Sequence, residues 1–451
     1  MKRLAQPSAV LWAAIVCVTP AMAVAQLLSD IDSTAVPAAR LVREAADPTI
    51  ARARHVAVDY SEIAAAAPVA LNLFPDVVLP AVPERVERRA TGWTWFGHVG
   101  SSANRVILTV ESGNLAGNIS VNGARYHIRP VSDTVHAVYE IRTSAYPECG
   151  GAVPVESSPG MDGAGAGAEA GLDAGALQAD DGSVIDVLVV YTPAAASAAG
   201  NIDTLIQLAI DETNDSYANS DISTSVNLAH KEGVTYTESG NFGTDLSRLR
   251  ATNDGYMDGV HDVRDEHCAD QVTLLIDDNS SCGRAYIMDP VWAGFESWAF
   301  SVVHYSCATG YYSFGHEMGH NQSARHDRYV DNTDSPFTYN HGYVHTSATP
   351  AERWRTVMAY NDECADLGYN CTRIQYWSNP DIDYLGDPTG TAADDSARCL
   401  DSTAYMVANF RERSACQVKV PALSDEGIPL LVFGLAATGI LLALWGRRRL
   451  T

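Results

Sequence analysis

Three histidines and a glutamate crowd the stretch "HEMGHNQSARHD", His316 to Asp327. His316 and His320 are four apart, which on a helix places both imidazoles on one face, a turn apart, able to share one ion. Glu317 directly follows the first of them, where its carboxylate can reach a water held at such an ion. His326 lies six residues beyond His320, a rise of roughly 9 Å if the helix ran on. Zinc takes nitrogen ligands at about 2.0–2.1 Å. The spacing therefore predicts that the helix stops after His320 and the chain turns back. His304 and His341 fit no ligand spacing and read as ordinary surface or core residues.

These side chains need a scaffold. The chain has 451 residues, and 46% of them are hydrophobic, enough for two or three domains with buried cores. From Val184 to Cys416 strand and helix patterns alternate. "IDVLVVYT" reads as a central strand, Ile202 to Asn219 as a helix, "TSVNLAHKEGVTY" as a strand, Asp245 to Glu266 as helical, and "QVTLLID" and "FSVVHYS" as strands before the histidine helix. That alternation predicts an α/β domain with a mostly parallel sheet. Residues 157–183 are rich in Gly and Ala and read as a flexible linker. From about Val86 to Ile141, short alternating runs separated by "SGN" and "NG" predict a small antiparallel β-domain. Residues 27 to about 85 show few turn signals, and partly helical, weakly ordered structure is expected there.

The ends speak of export. Lys2 and Arg3 precede an apolar run with small-residue cleavage sites, so residues 1–25 read as a signal peptide. Ile428 to Gly446 carries no charge and is followed by Arg447, Arg448 and Arg449. It is long enough to cross a bilayer, with the C-terminus in the cytoplasm. Residues 420–451 also resemble the C-terminal sorting signals of bacterial surface proteins. That resemblance implies a membrane sorting peptidase of a Gram-negative cell as a partner. A plain membrane anchor explains the same residues. The net charge of −25 argues against nucleic acid as a partner. Eight cysteines remain after Cys17 in the signal, which suggests disulfides in an exported chain. Cys364 with Cys371 is the simplest local pair.

His-Glu-x-x-His with a third histidine six residues on is the metzincin signature. Residues 184 to about 413 resemble bacterial reprolysin-like metzincins, with the peptidyl-Asp metalloendopeptidases looking closest. "IDVLVVYTPAA", "CGRAYIM", "GHEMGHNQSARHD", "RTVMAY", "YWSNPDIDYLGDPTG" and "STAYMVANFR" carry the resemblance. It implies a metzincin-like α/β fold, a mostly parallel twisted sheet plus an active-site helix, preceded by an antiparallel β prodomain. It also implies one catalytic Zn²⁺ on His316, His320 and His326, with Glu317 as general base toward a zinc-bound water. Met358 would lie in a tight turn beneath the ion, and Asp327 would anchor the turn after the helix. Tyr360, two residues past Met358, resembles a tyrosine that contacts the metal or the oxyanion in the astacin and serralysin branches; structural packing is its other reading. Ser323 holds a position where the family has glycine. Serine carries a steric cost in left-handed backbone that glycine does not, so a strained or rearranged turn is expected.

The resemblance further implies a propeptide removed on activation. Residues 26–156 would form it, and residues 184–416 the peptidase. Cys149 in "YPECGG" resembles the matrixin latency motif, in which a propeptide thiolate fills the open zinc position; a disulfide is the other reading, and counting cysteines does not choose. Cleavage beside aspartate would need a cationic pocket, with Arg373 and Arg325 as candidates. Asp331, Asn332 and Asp334 form an acidic loop, but such loops are common without an ion, so calcium has no support.

The expected function is an exported zinc-dependent endopeptidase acting on proteins or peptides and made as a latent precursor. The alternative is a surface-displayed binding or adhesion protein on an inactive metzincin fold. A zinc hydrolase of a non-protein ester or amide is a third reading. Glu317 together with all three histidines favours an active hydrolase.

Overall fold

The computed structural model describes residues 26–63, 67–155, 181 and 184–416. The expected signal peptide, the linker apart from Asp181, and the C-terminal segment lie outside the described residues. Among the described residues, no helix is long and apolar enough to cross a membrane.

The first domain is an antiparallel sheet of nine strands. They are β1 (Leu28–Asp30), β2 (Ile50–Val58), β3 (Val69–Phe74), β4 (Val77–Arg88), β5 (Gly92–Val99), β6 (Ser101–Glu111), β7 (Asn114–Val121), β8 (Ala124–Pro130) and β9 (His136–Ile141). Their order is β1-β2-β9-β8-β7-β6-β5-β4-β3. The two edges nearly meet. Gln26 bridges Ala70, and the Asn72 amide accepts from Leu28 N–H at 3.0 Å and donates to Leu28 O at 2.5 Å. One side chain thus satisfies both backbone groups of an otherwise open edge. Trp95, Leu71, Leu108, Ile119 and Val138 fill the interior. The hairpins fall where the sequence places them: Ser112-Gly113 and Asn122-Gly123 all have positive φ, as a tight hairpin turn requires.

Residues 27–85 depart from expectation. Among the described residues they are largely strand, β1 to β4, with the helix α1 (Ala38–Ala46) and two short 3-10 turns. The β-domain therefore begins near residue 28, not near 86. All six residues of β3 are buried, and β4 alternates in burial over its first eight residues along the edge pair. Cross-strand pairing orders a segment whose local signals are weak.

The second domain is built on a six-stranded sheet, order β10-β14-β15-β13-β11-β12. Its strands are β10 (Val153–Pro154), β11 (Val184–Tyr191), β12 (Ser225–Gly233), β13 (Gln271–Ile276), β14 (Gly283–Ile287) and β15 (Phe300–His304). Only β14 against β15 is antiparallel. Helices α2 (Pro193–Ala199), α3 (Ile202–Asn219), α4 (Phe242–Arg250), α5 (Gly259–Glu266) and α6 (Ser313–His320) follow the expected alternation. Where one helical stretch is expected over Asp245–Glu266, there are two short helices. After α6 come small elements: β16 (Val344–His345), β17 (Trp354–Arg355), α7 (Asp362–Asp366), β18 (Thr372–Arg373) and α8 (Ser396–Val407). Disulfides join Cys268 to Cys416, Cys282 to Cys307 and Cys364 to Cys371. Cys149 and Cys399 are free, so the eight cysteines do not all pair.

The two domains share α3. Its apolar Leu208 packs with Phe96, Ile107 and Ala116 of the first sheet. Its acidic face meets the same sheet: Asp215 pairs with Arg85 and Arg105, Asp211 with Arg89, and Glu212 accepts from Asn118. Among the described residues no cation lies at hydrogen-bond distance of the buried Glu212, and burial pushes its pKa up to about 7. A carboxyl whose folded pKa lies above its unfolded value binds more protons when folded. Its stabilisation is full below about 4.5 and is lost as pH rises toward about 7. We therefore expect Glu212→Gln to remove this loss: relative to the unsubstituted chain it gains up to ~3 kcal/mol between those limits. Urea unfolding across pH checks this, and parallel pH profiles for the two chains would refute it.

Candidate metal centre

Helix α6 carries His316, Glu317 and His320, all fully buried, and it ends at His320 as the spacing predicts. The stop is a Schellman arrangement. Ala324 N–H donates to Gly319 O at 2.9 Å and Ser323 N–H to His320 O at 3.0 Å. The earlier of these two donors in the chain must be left-handed in such an arrangement, and Ser323 has φ 72°. Serine bears the steric cost that glycine avoids, but its hydroxyl donates to Met288 O at 2.6 Å. The turn keeps the expected strained geometry and gains a hydrogen bond that glycine cannot make.

The turn returns His326 to the helix. Its Nε2 lies 3.2 Å from that of His316 and 3.0 Å from that of His320. On two of the rings the other nitrogen is occupied: His316 Nδ1 bonds Val357 O at 2.9 Å, and His320 Nδ1 bonds Ala324 O at 2.8 Å. Each of these rings is thereby fixed with Nε2 as the free lone pair. Burial pushes all three imidazoles toward the neutral form, His320 to about 4. Cys149 Sγ stands 4.0 Å from His320 Nε2. Ligand atoms from these four residues all lie within 4.8 Å of one another. Burial, then the Glu317 charge, pushes the Cys149 thiol well up; a bound cation reverses that preference.

Glu317 lies against β14, the strand next to β10. A Cβ at Gly283 would collide with its Oε1, so glycine there makes room for the carboxylate. Among the described residues its oxygens make no hydrogen bond of ordinary length; burial pushes the pKa up to about 8, outweighing the Cys149 thiol beside it, which lowers it. Beneath the helix, Met358 Sδ would be 3.2 Å from a Cβ at Gly319, which places the methionine under the histidine-bearing turn. Asp327 accepts from Tyr329 N–H at 3.1 Å and Tyr360 N–H at 2.8 Å, tying the returning loop to the methionine turn. The Tyr360 ring is 4.1 Å from that of His326, and its hydroxyl donates to Cys149 O at 2.8 Å.

Residues 143–155 cross this site. Tyr146 stacks on Tyr311 at 4.5 Å, Gly150 N–H donates to Gly283 O at 2.7 Å, and β10 runs parallel to β14. Glu148 is the residue that sequence reading passed over in "YPECGG". Its Oε1 meets Arg355 at 2.9 Å and accepts from the Tyr311 hydroxyl at 3.1 Å; its Oε2 meets Arg373 at 2.8 Å. Burial raises its pKa, but the two guanidiniums outweigh burial and hold it below the usual range. Arg373 thus lies at the site as expected. Arg325 does not offer a free cation: Asp289 and Asp331 engage it at 2.7 and 2.9 Å. His341, dismissed by spacing, bonds the His326 carbonyl through Nδ1 at 2.7 Å and so steadies a candidate ligand.

A mostly parallel sheet, a helix ending in a forced turn, and a converging histidine cluster define a metallopeptidase. Residues 181–378 match the model of metallo-peptidase family M12, of the reprolysin type. A peptidyl-Asp metalloendopeptidase of Stenotrophomonas maltophilia (strain R551-3) is 39% identical over 73% of this chain and 80% of its own length. One from Xanthomonas campestris pv. campestris is 36% identical over 84% of this chain and 90% of its own. One from Pseudomonas fragi is 38% identical over 44% of this chain and its entire length. The chain belongs to this family of reprolysin-like peptidyl-Asp metalloendopeptidases, hydrolases of peptide bonds.

The turn makes a direct prediction. Ser323→Ala keeps the left-handed strain and leaves Met288 O without its hydroxyl partner, so it should cost about 1–3 kcal/mol. Ser323→Gly relieves the strain as it loses the bond and should cost clearly less. Denaturant unfolding of both chains decides; equal losses would contradict this account of the turn.

Proposed function

We propose that the chain is an exported endopeptidase using one zinc ion held by His316, His320 and His326, made as a latent precursor. The observation that most supports this is the convergence of three histidine nitrogens and the Cys149 sulfur within 4.8 Å. Neutral imidazoles and a thiolate are a donor set suited to zinc. A bound zinc ion supplies Lewis acidity, polarising a carbonyl and lowering the pKa of water toward about 7.

The chain's own residues do the rest. Glu317, buried beside the Cys149 thiol, takes a proton from the attacking water and delivers one to the leaving amine once the covering segment has left. The Tyr360 hydroxyl, which here donates to Cys149 O, is freed when that segment leaves and donates to the oxygen that gains charge. Met358 supports the histidines from below, and Asp327 holds the returning loop.

Residues 26–156 act as the propeptide. The segment around Cys149 covers the histidine cluster and lies along β14, where a substrate strand would lie. Cys149 is the fourth ligand of the precursor. The linker 157–183 is the site of maturation cleavage, since Gly/Ala-rich sequence between two domains is where proteases tend to cut. Three disulfides suit an exported protein. Residues 428–446 serve as a membrane anchor or as part of a signal for a sorting peptidase. The relatives' names point to aspartate as the residue beside the cut, and we carry that preference to this chain.

Glu317→Ala should lower kcat on casein at least about a hundredfold while zinc stays bound. A chelator should abolish activity, and added zinc restore it. Chelator-insensitive cleavage, or full activity in Glu317→Ala, would refute the mechanism. Cys149→Ser should make the unprocessed chain active; an unprocessed Cys149→Ser chain as inactive as before would refute the latency role.

A further inference from the structure

We propose that Arg355, Arg373 and Tyr311 form the subsite that takes the acidic side chain of the substrate, and that Glu148 occupies it in this chain as an internal mimic. The inference rests on the metalloendopeptidase reading and assigns residues to its specificity.

The placement follows from the fold. β17 and β18 pair in parallel, with Arg355 opposite Arg373 in register. That brings two guanidiniums side by side. Both side chains are only 2% exposed. Arg373 lies over the Tyr311 ring at 4.2 Å, and both arginines donate to Ala359 O, the carbonyl between Met358 and Tyr360. The recess is therefore built on the methionine turn, directly beside the histidine cluster. Glu148 enters from the segment crossing the site, one residue before the cysteine that faces the histidines.

Charge decides what this recess needs. Two buried cations face one another, and the anion at hydrogen-bond distance of both comes from the crossing segment. Removing one partner of a buried ion pair leaves an uncompensated charge that costs several kcal/mol. When the segment leaves, the recess requires another anion of similar reach. Paired guanidiniums match a carboxylate in a planar, multiply bonded way, and the Tyr311 hydroxyl adds a third donor. An aspartate side chain has the right charge and acceptors. Asparagine of the same shape would leave the cations unpaired, so the site should reject it strongly. A purely structural ion pair would explain the contacts of Glu148 but not its place: next to Cys149, on the segment that leads into β10 and runs along β14.

The test uses the full chain after it has matured, with peptides differing only in Asp, Asn or Ala at one position. The ratio of kcat/KM for the Asp over the Asn peptide does not depend on how much enzyme is folded. It should fall at least about tenfold in Arg373→Met and in Arg355→Met. A synthetic Tyr-Pro-Glu-Cys-Gly-Gly peptide should also inhibit the mature enzyme at least about tenfold better than its glutamine counterpart. An Asp preference that survives both arginine substitutions would overturn the subsite, and equal inhibition by the two peptides would overturn the mimicry. Cleavage of none of the peptides would instead refute the endopeptidase reading on which both rest.

Discussion

Three nitrogen lone pairs must point at one spot from residues that a continuing helix would spread roughly 15 Å along its axis. Everything around the site follows from that constraint. The helix must end, the chain must reverse, and a residue must adopt left-handed backbone at Ser323. The imidazoles must also be buried and neutral, with Nδ1 of His316 and His320 held by carbonyls. The methionine turn supplies one of those carbonyls, Val357 O, and the returning loop supplies the other, Ala324 O. Asp327 then ties that loop to the methionine turn. The cluster is thus a set of interlocked backbone contacts more than a set of three side chains.

The same geometry explains the first domain. Its nine strands close nearly on themselves and grip α3, the helix that also packs on the catalytic sheet. With the first domain packed on α3, the segment after β9 runs across the histidines and pairs with β14 through β10. That segment presents its polar groups in sequence: Glu148 toward the arginines, Cys149 toward the histidines, Gly150 toward β14. Each would otherwise leave a buried donor or charge without a partner. The covering segment complements the site chemically as well as filling its space.

Much of this was legible in the sequence because it is local. Four-residue spacing on a helix, the six-residue gap to His326, and the dipeptides Ser112-Gly113 and Asn122-Gly123 carry their geometry within a few residues. Helix α3 follows its periodicity from Ile202 to Asn219. The strands of residues 27–85 were hidden because their order comes from cross-strand partners, not from turn signals. The Cys268–Cys416 bridge spans 148 residues, and Glu148 meets Arg355 and Arg373 across 207 and 225. No local pattern announces pairs at that range. Arg373 was a candidate for its charge; Arg355 becomes its partner only through strand register.

Zinc-edge X-ray absorption on the full chain, carrying Glu317→Ala so that it cannot process itself, tests the centre most directly. We predict one zinc per chain with three nitrogens at about 2.0–2.1 Å and one sulfur at about 2.3 Å, the sulfur lost in Cys149→Ser. A shell of nitrogen and oxygen alone, or a chain that purifies and reconstitutes without zinc, would contradict it.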